Sequence, residues 1–147
     1  MVLHSATHLF HDGELEHGLR DLVDLDGLLR YFSKDADFWP NLARRAVELD
    51  LLRPLYYVLT HTRTILHTPV PAQAMSDALA GKPGGGRDVV MAAVFNRALL
   101  PDHATCRPPF SGLARWLLYV RSHYLRMPFH LLIPHLTRKA WRQRFQE

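Results

Sequence analysis

The chain has 147 residues, of which 48% are hydrophobic and 22% charged, a composition typical of one globular domain and not of a disordered chain. Its one cysteine, Cys106, excludes an internal disulfide and a cysteine-based zinc cluster, and indicates a reducing, cytoplasmic setting. The formal net charge of +4 is unevenly distributed, because the segment from Arg107 onward has seven arginines and one lysine against a single acid, Glu147.

Helical periodicity dominates the hydrophobic pattern, and no alternating strand pattern of useful length is present. The predicted helices lie at residues 2–11, 18–32, 38–50, 54–67, 89–100, 110–126 and 129–145, with a short helical segment at 74–80. The sequence therefore predicts an all-α fold: a single compact, bundle-like domain of six or seven helices covering residues 1–147.

Local signals predict where several of these helices begin and end. Asp12-Gly13 ends the first helix, since glycine suits the left-handed conformation that follows many helices. Asp37 is a candidate N-cap for the third helix, and Pro40 then falls in its first turn, where the missing N–H costs little. The "TPVP" segment at 68–71 stops the fourth helix.

The segment "GKPGGG" at 81–86 indicates a flexible surface loop between a first part and a basic helical part, residues 87–147. It does not match a phosphate-binding P-loop. In that motif a lysine and a hydroxyl residue follow the last glycine, whereas here Lys82 precedes the glycines and Arg87 follows them.

No secretory signal or membrane-spanning run is visible. The first ten residues lack a basic start, and the most apolar later stretch, "LARWLLYV" at 113–120, contains Arg115 and is too short to cross a bilayer. We therefore expect a cytoplasmic protein without a transmembrane segment.

Three histidines lie on one side of the first predicted helix. His4, His8 and His11 fall within about 60° of one another at helical spacing. The opposite side is apolar, with Val2, Leu3, Ala6, Leu9 and Phe10. Because the apolar side must face the core, the histidines face solvent, a cleft or another domain.

Three interpretations of this histidine side remain open. Histidines one turn apart can bind zinc together with an acid, which would make a metal-dependent hydrolase. His11-Asp12 also matches the dipeptide of HD-type phosphohydrolases, although the further upstream histidine of that class is missing. The third interpretation is an interaction surface on which neutral imidazoles exchange hydrogen bonds with a neighbouring element.

The second predicted helix adds Arg20, Asp21 and Asp24 beside the core stripe of Leu22, Leu25 and Leu29. Paired carboxylates can hold Mg²⁺ or act as acid and base. Acidic residues also occur in the N-terminal half of a helix because the helix dipole favours them there, or because they pair with an arginine. For Asp24, the favoured structural interpretation is a buried hydrogen bond at the edge of the core.

Two stretches carry a family resemblance. "VLHSATHLFHDGELEHGLRDLVDLDGLLR", followed by "FWPNLARRAVELDLLRPLYYVLTHTRTILHTPVP", resembles the C-terminal helical half of a family of uncharacterised bacterial nucleotidyltransferases. The shared elements are a leucine-rich helix with spaced histidines, the string 22–25, and a helical pair ending at "PVP". The resemblance covers residues 2–71 well, and the best-matching part of the chain is 1–80. A weaker resemblance continues to 126–139.

The resemblance also implies what this chain lacks. The catalytic half of such enzymes carries a Gly-Ser helix start for phosphate and an Asp-x-Asp strand for Mg²⁺. Here the Asp-x-Asp strings at 24–26 and 35–37 fall in a predicted helix and a predicted turn. We therefore expect the second half of such an enzyme, as a separate gene product, a truncated reading frame or a fragment.

These observations predict a domain that does not catalyse alone and serves as an acceptor-site or partner-docking part. Mg²⁺ and a nucleoside triphosphate would belong to the catalytic half, so neither cofactor nor metal is assigned here. The expected partner is that catalytic domain, or a second copy of the chain. The candidate cleft or interface residues are His4, His8, His11, Arg20, Asp21 and Asp24.

The basic C-terminal part predicts an alternative function. Arginines and a lysine are interleaved there with aromatic residues, a mixture that can bind nucleic acid or an anionic surface. The candidate anion-binding residues are Arg115, Arg126, Arg138, Lys139 and Arg142.

Overall fold

A computed structural model describes residues 1–12, 15, 17–101, 103 and 105–126 of the chain. In this part the fold is all-α, as predicted, with seven α-helices and no strand. The helices are α1 (Val2–Thr7), α2 (Gly18–Phe32), α3 (Phe38–Glu48), α4 (Leu52–Leu66), α5 (Ala72–Ala78), α6 (Arg87–Leu99) and α7 (Ser111–Arg126). The helix predicted at 129–145 lies outside the described residues.

The first predicted helix changes its pitch halfway along. After α1 the chain continues as a π-helical turn, His8–Asp12. A π turn is wider than an α turn, so it displaces the residues that follow it from the positions that regular α periodicity predicts. This displacement changes where His11 lies.

Helix α4 is the central element, packing against α1, α2, α3 and α5. More than half of its fifteen residues are buried, namely Pro54, Leu55, Tyr56, Tyr57, Val58, Leu59, His61 and Thr62. The predicted stripe of α2 is also buried, with Leu22, Leu25 and Leu29 facing the core. Helix α4 is therefore enclosed on most sides, which explains why polar side chains also lie in its interior.

Asp37 occupies the N-cap position of α3, as predicted, but its side chain does not cap the helix. Asp37 makes no side-chain capping hydrogen bond. Instead, the Asp35 carboxylate accepts a hydrogen bond of 3.0 Å from the Asp37 backbone N–H, in a local turn before the helix. A competing short-range turn of this kind is a common alternative to capping for aspartate.

The glycine-rich segment combines a packed end and an exposed turn. Gly81, at the end of a 3₁₀ turn (Leu79–Gly81), is buried against the start of α4. A methyl group added there would overlap the Leu52 carbonyl oxygen. Gly85 and Gly86 have positive φ and form the exposed turn into α6. Gly81 therefore allows a close approach of two backbone segments.

Helices α6 and α7 form a pair that packs through Phe95, Ala98 and Leu99 on one side and Ala114 and Leu118 on the other. Several large apolar side chains of this pair face outward, among them Val89, Leu113 and Trp116. No helix in the described part is long and apolar enough to cross a membrane.

Candidate functional site

The exposed side of α1 carries a pair of histidines. Val2, Leu3 and Ala6 of this helix are buried, whereas His4 and His8 are exposed. The centroids of the two imidazole rings lie 4.5 Å apart in an edge-to-face arrangement. The α1 helix therefore has an apolar side in the core and a paired imidazole side at the surface.

This pair borders a groove between α1 and α3, which we call the histidine groove. Its volume is about 560 Å³. Its lining consists of Met1, Val2, Leu3, His4, Thr7, His8, Phe32, Phe38, Leu42, Arg45, Leu49 and Leu51. The rings of Phe32 and Phe38 stack at 5.9 Å. The groove is thus mainly apolar and aromatic, with imidazoles and one guanidinium among its polar lining groups.

Arg45 is held in place by the next turn of α3. It donates a hydrogen bond of 2.8 Å to the Glu48 carboxylate, and Arg44 donates another of 2.6 Å. The hydrogen bond from Arg45 makes the largest contribution to lowering the pKa of Glu48 below its ordinary value. The guanidinium beside the groove therefore already has an ionic partner on its own helix.

His11 does not share this groove. The π turn places Leu9 and Phe10 in the core and leaves His11 half-buried. His11 lines a second cleft on the far side of Thr7 and Leu51, two residues that border both cavities. The single histidine side predicted from α periodicity is therefore divided between two cavities.

The predicted residues of α2 lie apart from both cavities. Arg20 and Asp24 are exposed and Asp21 is half-buried. Arg20 lines another cleft, of about 420 Å³, between the start of α2 and the end of α6. The buried hydrogen bond expected for Asp24 is wrong: Leu25 occupies the core position, and its neighbour Asp24 points to solvent.

Asp26 is the α2 acid that does have partners. Its carboxylate accepts a hydrogen bond of 2.6 Å from the Thr68 hydroxyl and one of 2.8 Å from Nε of Arg30. Arg30 also donates to the carbonyl oxygens of Leu66 and His67, at 3.2 and 3.4 Å. This network joins α2 to the C-terminal end of α4.

No group of three or more histidine, cysteine, aspartate and glutamate side chains in the described residues is placed to hold a metal ion. The described residues therefore do not supply a ligand set for Mg²⁺ or zinc.

The predicted anion-binding residues are only partly described. Arg115 donates hydrogen bonds of 2.8 Å to the Leu100 carbonyl oxygen and 3.4 Å to that of Ala98. It thus satisfies carbonyl groups at the end of α6. Arg126 is exposed at the end of α7, whereas Arg138, Lys139 and Arg142 lie outside the described residues. Binding of nucleic acid or an anionic surface stays a prediction.

A buried histidine that the sequence interpretation overlooked lies in α4. His61 is 1% exposed, and its Nδ1 lies 3.1 Å from Oδ1 of Asn96. The ring stacks on Phe10 at 5.5 Å and meets the edge of Phe95 at 5.4 Å. Burial lowers the pKa of His61 to about 4. The side chain is therefore a neutral imidazole within an aromatic cluster.

Arg121 covers the same aromatic cluster from α7. Its Nη1 donates a hydrogen bond of 2.9 Å to the Phe10 carbonyl oxygen, and its guanidinium lies 5.9 Å from the ring centroids of Tyr57 and Phe95. We call Phe10, Tyr57, His61, Phe95 and Arg121 the aromatic cluster. The only sequence signals for it were polar residues at apolar positions of α4 and α7.

Arg121 also borders the second cleft, which we call the arginine cleft. Its volume is about 460 Å³. Its lining consists of Thr7, Phe10, His11, Asp50, Leu51, Leu52, Arg53, Pro54, Tyr57, Ala80, Gly81, Arg121 and Leu125. Two guanidiniums thus border a cavity whose remaining surface is largely apolar.

The described residues thus form an all-α fold with a mainly apolar groove beside a pair of exposed histidines. Residues 1–67 match the model of a family described as uncharacterised nucleotidyltransferase. The predicted resemblance to an uncharacterised nucleotidyltransferase family is thereby confirmed over these residues, which include α1 to α4. No curated protein and no solved structure matches the chain.

Proposed function

We propose that this chain is a helical accessory domain of a nucleotidyltransferase that does not catalyse alone and docks a catalytic α/β unit in the histidine groove. That unit would lie in the same polypeptide or in a partner chain. One observation carries the proposal: all residues that line the groove fall between Met1 and Leu51, inside the segment that matches the family.

The chemistry of the groove suits a protein element better than a small polar substrate. Its surface combines stacked phenylalanines with side chains that reach solvent, since Met1 is 82% and Leu49 46% exposed. Apolar and aromatic centres with polar rims are the usual anatomy of protein interfaces. The imidazoles of His4 and His8 can each donate and accept hydrogen bonds at such a rim.

The nucleotide chemistry is assigned to the partner for a physical reason. Phosphoryl transfer depends on donors and metal ions that position the phosphate groups. The two Asp-x-Asp strings lie in α2 and in the turn before α3, and the described part has no strand that would carry such a motif. The accessory domain would instead contribute to the acceptor site through the surface around the histidine groove.

The test uses the chain together with a catalytic unit encoded beside it or in frame with it. We expect the two to form a one-to-one complex in light scattering after size-exclusion chromatography. Leu49→Asp, which puts a charge in the groove, should abolish the complex. Val47→Asp is the matched control, because Val47 is 62% exposed on the same helix and does not line the groove.

Transfer of a labelled nucleotide should require both components. The proposal is wrong if the chain alone transfers nucleotide, or if Leu49→Asp and Val47→Asp bind the catalytic unit equally well. Self-association of the chain that depends on Leu49, without binding of the catalytic unit, would also contradict it and assign the groove to a second copy.

A further inference from the structure

The arginine cleft holds a cation in a partly buried position. Arg121 is half-buried, and one of its donors is used by the Phe10 carbonyl oxygen. The rings of Tyr57 and Phe95 lie on its other side. Burial is the main cause that lowers the pKa of Arg121 below its ordinary value. The guanidinium is thus fixed in place by contacts that do not neutralise its charge.

Arg53 brings a second positive charge to the same cavity. It is exposed at the start of α4 and lines the cleft with Arg121. Both guanidiniums act on Tyr57, where burial raises the pKa and Arg121 and Arg53 oppose that increase. Arg53 also disfavours the charged form of Arg121. The two cations are therefore close enough to repel each other.

The acids that the structure describes near the cleft form no ion pair with these cations. Asp50 lines the cleft, but within the described residues it forms no ion pair with Arg53 or Arg121. Asp88 is engaged elsewhere, accepting a hydrogen bond of 2.8 Å from the Tyr56 hydroxyl and lying 3.3 Å from Nζ of Lys82. A partly buried cation such as Arg121 is costly without a counter-ion, and a bound anion would lower that cost.

We propose that the arginine cleft binds the phosphate group of a small phosphorylated ligand. Two guanidiniums offer planar sets of donors that match phosphate oxygens. The volume of about 460 Å³ exceeds what a single phosphate needs, and Leu52, Pro54 and Leu125 supply an apolar wall for an attached organic part. Gly81, Arg121 and Leu125 lie beyond the segment that matches the family, so the cleft joins the matched and unmatched parts of the chain.

This inference does not rest on the proposed function, because it concerns a different cavity and is tested on the full chain without a catalytic unit. Isothermal titration with inorganic phosphate, adenosine monophosphate and neutral adenosine distinguishes the source of the phosphate. We expect saturable binding of adenosine monophosphate with a dissociation constant of about 1 mM or lower. Phosphate alone should bind more weakly, and adenosine should not bind.

Arg121→Met and Arg53→Met should each weaken adenosine monophosphate binding about tenfold, since each removes a charged hydrogen-bond donor. Arg63→Met is the matched control, as an exposed arginine of α4 that does not line the cleft, and it should bind like the wild type. Arg53→Met tests an exposed residue, so its effect does not depend on whether Arg121→Met folds.

The proposal is overturned by no saturable binding of either phosphate compound, by equal weakening in Arg63→Met and Arg53→Met, or by binding that is unchanged in both cleft variants. Adenosine binding as tight as that of its monophosphate would do so as well. Tighter binding of free phosphate than of the monophosphate would overturn it too, because the apolar wall would then contribute nothing to binding.

Discussion

The histidine groove and the aromatic cluster use the same side chain in opposite ways. His4 and His8 lie exposed on α1, whereas His61 is enclosed by rings on α4, a helix that packs against α1. In the cluster the imidazole is kept neutral and serves packing. In the groove two imidazoles lie at the protein surface, where a docked partner can reach them. Enclosure, not residue type or helical spacing, separates a structural histidine from a candidate recognition histidine.

The interior around α4 is closely packed, so one added methyl group there should destabilise the protein. Gly81→Ala should lower the free energy of unfolding by about 3 kcal/mol or more, because its Cβ would meet the Leu52 backbone. Urea denaturation measures this change. Gly84→Ala is the control, since no atom lies within 4 Å of the added group. Equal stability of the two variants would contradict the close approach.

The buried histidine predicts a specific pH dependence of stability. His61 has a folded-state pKa of about 4, below its ordinary value of 6.5. As the pH falls from 6.5 to 4, His61 therefore binds a proton in the unfolded chain but not in the folded chain. Folding should lose up to about 3 kcal/mol over this window, with no further loss from this group below it.

His61→Phe isolates that contribution from those of other titrating groups. We expect urea unfolding at several pH values to show a shallower decline for the variant between pH 6.5 and 4. An unchanged slope would show that His61 titrates in the folded protein as an exposed histidine does.

The acids of α2 offer a smaller contrast between an engaged and an exposed side chain. Asp26→Ala should cost about 2 kcal/mol, because it removes the acceptor of Thr68 and Arg30. Asp24→Ala, at an exposed position, should change stability by less than about 0.5 kcal/mol. Thermal unfolding of both variants checks this, and a larger loss for Asp24→Ala would reverse the assignment.

Substitutions at the exposed histidines of the histidine groove should have the smallest effect on stability. Replacing both His4 and His8 by alanine should change the free energy of unfolding by no more than about 0.5 kcal/mol, as is usual for exposed positions. The same variant should weaken binding of the catalytic unit about tenfold, through lost hydrogen bonds at the rim. A stable variant that binds normally would remove the histidines from the interface.

Much of the helical architecture could be predicted from local sequence patterns. The bounds of α2 agree with prediction, and Leu22, Leu25 and Leu29 face the core as their spacing indicates. Such features depend on contacts within one helix turn and on a single apolar side. The family resemblance was likewise carried by short strings within residues 2–71, and the family model matches residues 1–67.

The remaining features depend on contacts between distant residues. The π turn separates His11 from His4 and His8, and regular α periodicity contains no signal for it. Arg121 reaches the Phe10 carbonyl oxygen across 111 positions of sequence. His61 and Asn96 meet only when α4 and α6 pack. A helical wheel shows none of these tertiary contacts.

The most direct test of the docking proposal is hydrogen–deuterium exchange of the chain, free and bound to the catalytic unit. The proposal predicts slower exchange on binding in peptides that cover 1–8 and 38–51, which supply most of the groove lining. Peptides that cover 87–117, in α6 and the start of α7, should exchange at unchanged rates. Protection confined to α6 and α7, with none in α1 and α3, would contradict docking at the histidine groove.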